Sequence, residues 1–252
     1  MSFPIPIDQI EFKRSAVQPV ECIKAGWELI KPQYWLFVGI VVVGMLVGSV
    51  VPFGILMGPM MCGIYLTLFA TRRNQPIEFG MLFKGFDFFG DAIVATLLHM
   101  IPLMVVIIPT YIGFYVGMFA VVGTSASRGG EPDPGVMLGF FGVFGLIWIG
   151  IMLLLIVLSV VFTFAYPLIV DRHLSGLNAV KLSIRAALAN FWRLLGMLFL
   201  TGLLSSLGVL LCFVGVYLIV PVSFAAIAAA YEQVFGLAEV QSNLPPPPPT
   251  FT

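Results

Sequence analysis

The side chains best suited to hold a metal or move a proton are His99, His173, three cysteines and a few carboxylates, and their spacing assembles no site. A zinc site needs three or four converging ligands, whereas His173 stands alone beside Asp171 and Arg172. Cys22, Cys62 and Cys212 are far apart, odd in number and without CxxC spacing, so they read as small apolar residues. The chain contains no HExxH, no GxSxG and no glycine-rich phosphate loop. These observations predict no catalytic residue, no metal, no cofactor and no enzymatic activity.

An ionisable group inside a bilayer is expensive and therefore a functional candidate by default. His99 is the one placed deep in an apolar run, while Asp91, Asp171 and Glu232 stand at the ends of such runs, where water or headgroups reach. An imidazole at His99 acts as a proton relay or gate, or it is a packed side chain bonded to a neighbouring carbonyl. Pro59 and Pro221 interrupt apolar runs and are the other candidate positions, since a broken helix frees backbone groups for binding. The hydroxyls of Ser159, Thr163, Thr201, Ser205, Ser206 and Ser223 either bond between helices or line a polar path.

The surroundings that must position these residues are overwhelmingly apolar. Of 252 residues 60% are hydrophobic and 10% charged, against roughly 25% charged in an ordinary soluble domain. Mean hydropathy is +1.08. Net charge is zero, which leaves no basic field to attract nucleic acid. Four stretches carry no charge at all: Pro32 to Thr71, Ala92 to Ser127, Pro134 to Val170 and Leu194 to Tyr231. Each exceeds the roughly 20 residues a helix needs to cross a bilayer. The lipid bilayer is thus the expected partner. Near the start, Asp8, Glu11, Glu21 and Glu28 stand where a cleavable signal peptide would need an apolar core.

Three amphipathic stretches introduce the apolar runs. In Pro19 to Lys31 the apolar stripe is Val20, Ile23, Trp27 and Ile30; in Ile77 to Gly90 it is Phe79, Phe83, Phe86 and Phe89; in Ser175 to Phe191 it is Leu177, Val180, Ile184, Leu188 and Phe191. Pro52, Gly54, Gly58 and Pro59 divide the first run into a hairpin, and Gly208, Gly215 and Pro221 divide the last. The second run, Ala92 to Val122, is one span bent at Pro102 or Pro109, followed by a loop from Gly123 to Gly135. Val136 to Ala165 has no proline and reads as one long helix.

The pattern predicts an all-α, polytopic transmembrane helical bundle of about six spans with three interfacial amphipathic helices on the cytoplasmic side. Eight spans result instead if the two middle runs are also hairpins. Residues 1–34 form an N-terminal segment, 35–237 the membrane domain and 238–252 a tail. The tail's five successive prolines, Pro245 to Pro249, give an extended polyproline segment, a possible ligand for a protein partner. Lys13, Arg14, Lys24 and Lys31 precede the first span; Arg72, Arg73 and Lys84, then Arg172, Lys181, Arg185 and Arg193, mark two further basic flanks; the loop after Gly123 has only Arg128. Basic flanks stay in the cytoplasm, which places both termini there. Trp35 to Gly39 with Ser49, and Trp192 to Gly196 with Ser206, share their offsets and hint at a repeat.

Tyr166-Pro167 through Asp171-Arg172, Ala179 to Ser183, Asn190-Phe191-Trp192, Leu207-Gly208, Cys212 to Gly215, Pro221 and Tyr231 together resemble the C-terminal half of polytopic bacterial inner-membrane families. These are the YciC-like proteins and the membrane region fused to some glycerophosphodiester phosphodiesterases. Gly58-Pro59, Gly63 to Tyr65 and Gly85-Phe86 make a looser match to the N-terminal half. The resemblance implies a multi-pass protein of the bacterial inner membrane and no catalytic residue, since the phosphodiesterase domain is absent. The expected role is a non-enzymatic scaffold, assembly or membrane-homeostasis function; the alternative is a transporter or channel for a small solute.

Overall fold

Backbone inside hydrocarbon has no water to bond, so uncharged runs of this length close their hydrogen bonds locally, as helices. The computed structural model describes residues 10–51, 54–127, 129–209 and 214–238, and among the described residues there are nine α-helices and no strand. They are α1 (Pro19–Ile30), α2 (Tyr34–Val50), α3 (Met57–Arg72), α4 (Phe89–Ser127), α5 (Pro134–Val161), α6 (Ala165–Arg172), α7 (Gly176–Ala189), α8 (Phe191–Val209) and α9 (Val214–Phe235). Short 3-10 segments, Lys31–Gln33 and Phe79–Phe88, lead into α2 and α4. Five helical stretches are long and apolar enough to cross a membrane: Pro19–Val50, Phe79–Ser127, Pro134–Arg172, Phe191–Gly208 and Gly215–Phe235. The protein is a membrane-type helical bundle. α3, with 16 residues, is shorter and mostly buried within it.

The helices close a ring: α2 packs on α3, α3 on α4, α4 on α5, α5 on α8, α8 on α9, and α9 on α2. Each hairpin is introduced by one amphipathic element lying on the second helix of the hairpin that precedes it around the ring. α1 lies on α9, Phe79–Phe88 on α3, and α7 on α6, the continuation of α5. The second helices α3, α6 and α9 end alike, each followed within two residues by a left-handed residue: Asn74 (φ 54°), His173 (φ 50°) and Gly236 (φ 68°). The repeat hinted at by Trp35 and Trp192 therefore involves three units. Both tryptophans are exposed at the start of their helices, and Ser49 and Ser206 each donate to the carbonyl three residues back.

The amphipathic elements are turned differently from the expected apolar stripes. α1 buries Cys22, Gly26 and Ile30, while Val20 and Trp27 face out. A Cβ on Gly26 would stand 2.6 Å from Ala226 N, so α1 crosses α9 backbone to backbone. α7 buries Leu182 together with Gly176, Ala179, Val180, Ser183, Ala186 and Ala187 and exposes Leu177 and Leu188. Small residues permit close approach to the bundle, and the large apolar ones on the outer face are left for lipid. The second element is a 3-10 helix rather than an α-helix. Its side chains three apart line up, so Leu82 and Gly85 face α3 while Phe83, Phe86 and Phe89 face out. A Cβ on Gly63 would overlap Leu82 O, and one on Gly85 would overlap Pro59 O.

Several boundaries also move. Pro59 lies in the first turn of α3, where a missing N–H costs little; α2 ends at Val50 and α3 begins at Met57. Pro221 lies inside α9. α4 keeps Pro102 and Pro109 inside one helix and continues to Ser127; Thr124, Ser125 and Ser127 donate back to carbonyls of the same helix rather than capping its end. The loop from Gly123 is thus far shorter than expected. Neither middle run folds back, which removes the eight-span alternative.

The expected single helix from Val136 to Ala165 ends at Val161 without a proline. Ser183 of α7 supplies the reason: its hydroxyl donates to Val161 O (2.7 Å) and accepts from Phe164 N (3.2 Å), replacing ladder bonds lost at the break. We expect Gly63→Val and Gly85→Val to destabilise the bundle by about 1–3 kcal/mol each through overpacking. Gly139→Val, on a face of α5 with nothing within 4 Å, leaves the thermal unfolding midpoint in detergent unchanged. Equal midpoints for all three variants would refute the backbone contact.

Candidate functional site

α3 ends in Arg72-Arg73, α6 in Asp171-Arg172, and the last turns of α9 carry Tyr231-Glu232. Their convergence gathers three guanidiniums and two carboxylates at one end of the bundle. Asp171 is the centre, and its side chain has no solvent exposure. Its Oδ1 accepts from Arg73 Nη2 at 2.5 Å. Its Oδ2 accepts from Tyr231 OH at 2.8 Å and from Ala238 N at 3.0 Å. A bare carboxylate there would be costly, and it is stable only because both oxygens are paired.

A second ring of bonds surrounds this centre. Arg72 Nε meets Glu232 Oε2 at 2.7 Å. Arg172 donates through Nη2 to Phe235 O (3.1 Å) and Gly236 O (3.3 Å), which are carbonyls left free where α9 ends. Its buried Nε lies 3.4 Å from Asp171 Oδ2, close enough for charge attraction but not aligned as a hydrogen bond. Tyr231 is fully buried among Phe69, Phe164 and Phe235, with ring centres 5.1 to 6.3 Å away. The Asp171 carboxylate is held by all of these partners at once. It is a clasp that ties α3, α6, α9 and the residues after α9 together.

Two further polar contacts fix the layer at this end. Asp91, at the start of α4, accepts from Gly176 N (3.0 Å), placing a carboxylate on the N-terminus of α7. Asn190, between α7 and α8, accepts from Ala16 N (2.9 Å) and donates to Lys13 O (3.2 Å). Lys13 N in turn donates to Val234 O (2.8 Å), so the segment before α1 is strapped across α9.

The expected positions are not brought together. His99 on α4 packs edge to face on Phe162, ring centres 4.6 Å apart, instead of bonding to a carbonyl. Pro59 is buried in α3 and Pro221 in α9, and no interaction among the described residues links either to His99. His173 stacks on Phe88 at 5.5 Å. Ser159, Thr201 and Ser206 bond within their own helices and Thr163, just after α5, bonds back to Ser159 O; none of these bonds bridges two helices. Away from the Asp171 cluster, polar bridges between helices include Ser183, the pair Thr96 and Tyr166, whose oxygens lie 3.1 Å apart, and Tyr34 OH, which donates to Leu218 O. Cys22 and Cys62 are buried and free, while Cys212 and the proline tail lie outside the described residues.

The sequence placed Asp171 within reach of water; the structure encloses it. The signal was present in charges of opposite sign at the ends of separate apolar runs, Arg72-Arg73 against Asp171. Among the described residues no three His, Cys, Asp or Glu side chains are grouped to hold a metal ion. The surface carries a groove of about 430 Å³ beside Arg193 and Lys24 and another of about 520 Å³ between α5 and α8. Neither includes Asp171, His99, Pro59 or Pro221 among its lining residues.

Asp171→Ala, which strands Arg73 beside a buried gap, is expected to cost about 3–5 kcal/mol. Tyr231→Phe, which removes one bond to the carboxylate, is expected to cost about 1.5–3 kcal/mol. The double variant costs less than their sum, because both remove the same bond. Thermal unfolding in detergent measures all three, and an Asp171→Ala protein as stable as the parent would refute the clasp. No family model, no curated protein and no solved structure matches this chain.

Proposed function

We propose that the chain is a six-crossing protein of the bacterial inner membrane, both ends cytoplasmic, acting as a non-enzymatic scaffold in assembly or membrane homeostasis. The observation that carries this reading is the filled centre of the ring. Phe69, Phe164, Leu168 and Tyr231 are fully buried where α3, α6 and α9 meet, and Asp171 closes the end of that core. A solute path would need open volume lined by polar groups with free bonding capacity. Here the charged side chains around Asp171 are consumed by one another.

The orientation is supported by the placement of Arg72, Arg73, Arg172, Lys181, Arg185 and Arg193 at or near the Asp171 end. The large apolar residues on the outer faces of α1, the 3-10 segment and α7 support a layer lying at the membrane surface on that side. α3 is counted as the sixth crossing because it completes the ring between α2 and α4. The long exposed faces of α4 and α5 offer a scaffold its docking surface.

Two measurements test this. In a background with the native cysteines replaced, Ser127→Cys is expected to react with an impermeant maleimide on intact cells. Gln75→Cys is expected to react only after permeabilisation, and the reverse pattern inverts the topology. Purified protein in liposomes is expected to pass no small solute above the protein-free rate; flux that disappears in His99→Ala would replace the scaffold with a transporter.

A further inference from the structure

The chain that leads into α1 is held in place by partners far away in sequence. Ala16 N donates to Asn190 Oδ1 (2.9 Å), Gln18 N donates to Gln233 Oε1 (2.9 Å), and Arg193 Nη1 donates to Val17 O (3.4 Å). Val17 itself is fully buried. α8 passes close by at Gly196, where a Cβ would lie 3.9 Å from Pro19 Cγ. Between these two helix starts lies the groove of about 430 Å³, where Val17 and Val20 are lined up with Gln18, Glu21, Lys24 and Arg193. That volume falls within the range of small-molecule sites, roughly 300–1,000 Å³.

The charged groups line this space themselves. Glu21 and Lys24, three residues apart, share a face of α1, and Arg193 comes from the first turn of α8. The side-chain amide of Gln18, with its nitrogen towards Glu21, donates to both carboxylate oxygens at 2.7 and 2.5 Å. Among the described residues neither Lys24 nor Arg193 forms an ion pair. Arg193 spends one donor on Val17 O, and a guanidinium has five. The groove therefore presents two cations free of carboxylates and one carboxylate met only by a neutral amide. Both signs of charge are offered side by side, with the positive in excess.

That mixture selects among ligands. A plain anion is drawn by Lys24 and Arg193 but meets Glu21; a plain cation meets the reverse. A group that carries a phosphate and a primary ammonium two carbons apart satisfies all three, because phosphate oxygens accept charge-assisted bonds from lysine and arginine while the ammonium donates to the carboxylate. The place of the groove in the fold supplies the source. It lies at the end of the bundle where α9 finishes, since Gln18 bonds to Gln233. Trp192, next to Arg193, is 79% exposed and Val20 is 55% exposed. Exposed aromatic and apolar side chains beside cations mark the level of lipid headgroups. We propose that the groove at the start of α1 binds the headgroup of phosphatidylethanolamine, with Lys24 and Arg193 holding the phosphate and Glu21 the ammonium. The site requires that this end of the bundle lie at a bilayer surface, and it is independent of the scaffold reading.

The test is native mass spectrometry of the full chain, delipidated in detergent and given equal amounts of phosphatidylethanolamine, phosphatidylcholine and phosphatidylglycerol. Phosphatidylethanolamine is expected to be retained about tenfold more tightly than either competitor, the loss that goes with one missing charge-assisted hydrogen bond; choline has no N–H to donate and glycerol has no cation. Glu21→Gln is expected to make phosphatidylethanolamine and phosphatidylcholine equal. Lys24→Gln with Arg193→Gln is expected to weaken phosphatidylethanolamine about tenfold or more, whereas Lys181→Gln, outside the groove, leaves it unchanged. Lys24→Gln alone keeps the bond from Arg193 to Val17 O, so a loss in that variant cannot come from a loosened chain before α1. A wild-type protein that retains all three lipids alike overturns the headgroup assignment. Retention unchanged in the Lys24 and Arg193 variants means annular lipid only and overturns the site. Free phosphoethanolamine, at the same concentration, retained as well as the lipid overturns the membrane as its source.

Discussion

Hydrocarbon offers no hydrogen bonds, and most of this structure follows from that single lack. Any backbone group or charge that leaves the regular helix ladder must find its partner within the protein. Where α5 stops short at Val161, the freed carbonyl and the amide of Phe164 are both taken by the Ser183 hydroxyl. Where α9 ends, its last carbonyls are taken by Arg172. Where Asp171 is enclosed, both of its oxygens are bonded. The irregular points of the fold are therefore also its most heavily bonded points, and they lie where separate units meet.

The second organising fact is the division of labour among side-chain sizes. Glycine and alanine face inward on the amphipathic elements, so that α1 touches α9 and the 3-10 segment touches α3 nearly backbone to backbone. Trp27, Phe83, Phe86, Leu177 and Leu188 of these elements face outward, while Leu82 and Leu182 turn inward beside the small residues. In lipid there is no penalty for exposing large apolar residues, and close packing of small residues provides the attraction between helices. Large residues also fill the interior: Phe37, Met60 and Leu68 are fully buried, and Phe69, Phe164 and Tyr231 fill the space in which α3, α6 and α9 converge.

Much of this arrangement was legible in the sequence. The length of the uncharged runs set the fold class, and the glycines and prolines near Gly54 and Gly208 located two chain reversals. The faces of α1 and α7 were not legible, because apolar periodicity marks two stripes when one side meets lipid and the other meets protein. The break after Val161 was hidden, since its cause is a serine on another helix. The 3-10 character of Phe79–Phe88 was hidden because phenylalanines spaced by three and four fit an α-helix equally well. Asp171 read as a boundary residue until α3 and α9 closed over it. Charges at run ends are ambiguous until the partner ends are known.

The α4–α5 hairpin has a dimension that sets it apart. α5 has 28 residues, about 42 Å, and α4 is longer still, whereas α2 and α3 have 17 and 16, about 24–26 Å. A hydrocarbon slab of roughly 30 Å cannot match both at once. Short helices draw the leaflets together around them; long ones tilt or lift the slab at their tips. One molecule thus sets a thickness gradient around its own perimeter, thin on one side and thick on the other. Its energy depends on the thickness of the bilayer around it, and that dependence by itself sorts such a molecule laterally between thinner and thicker regions.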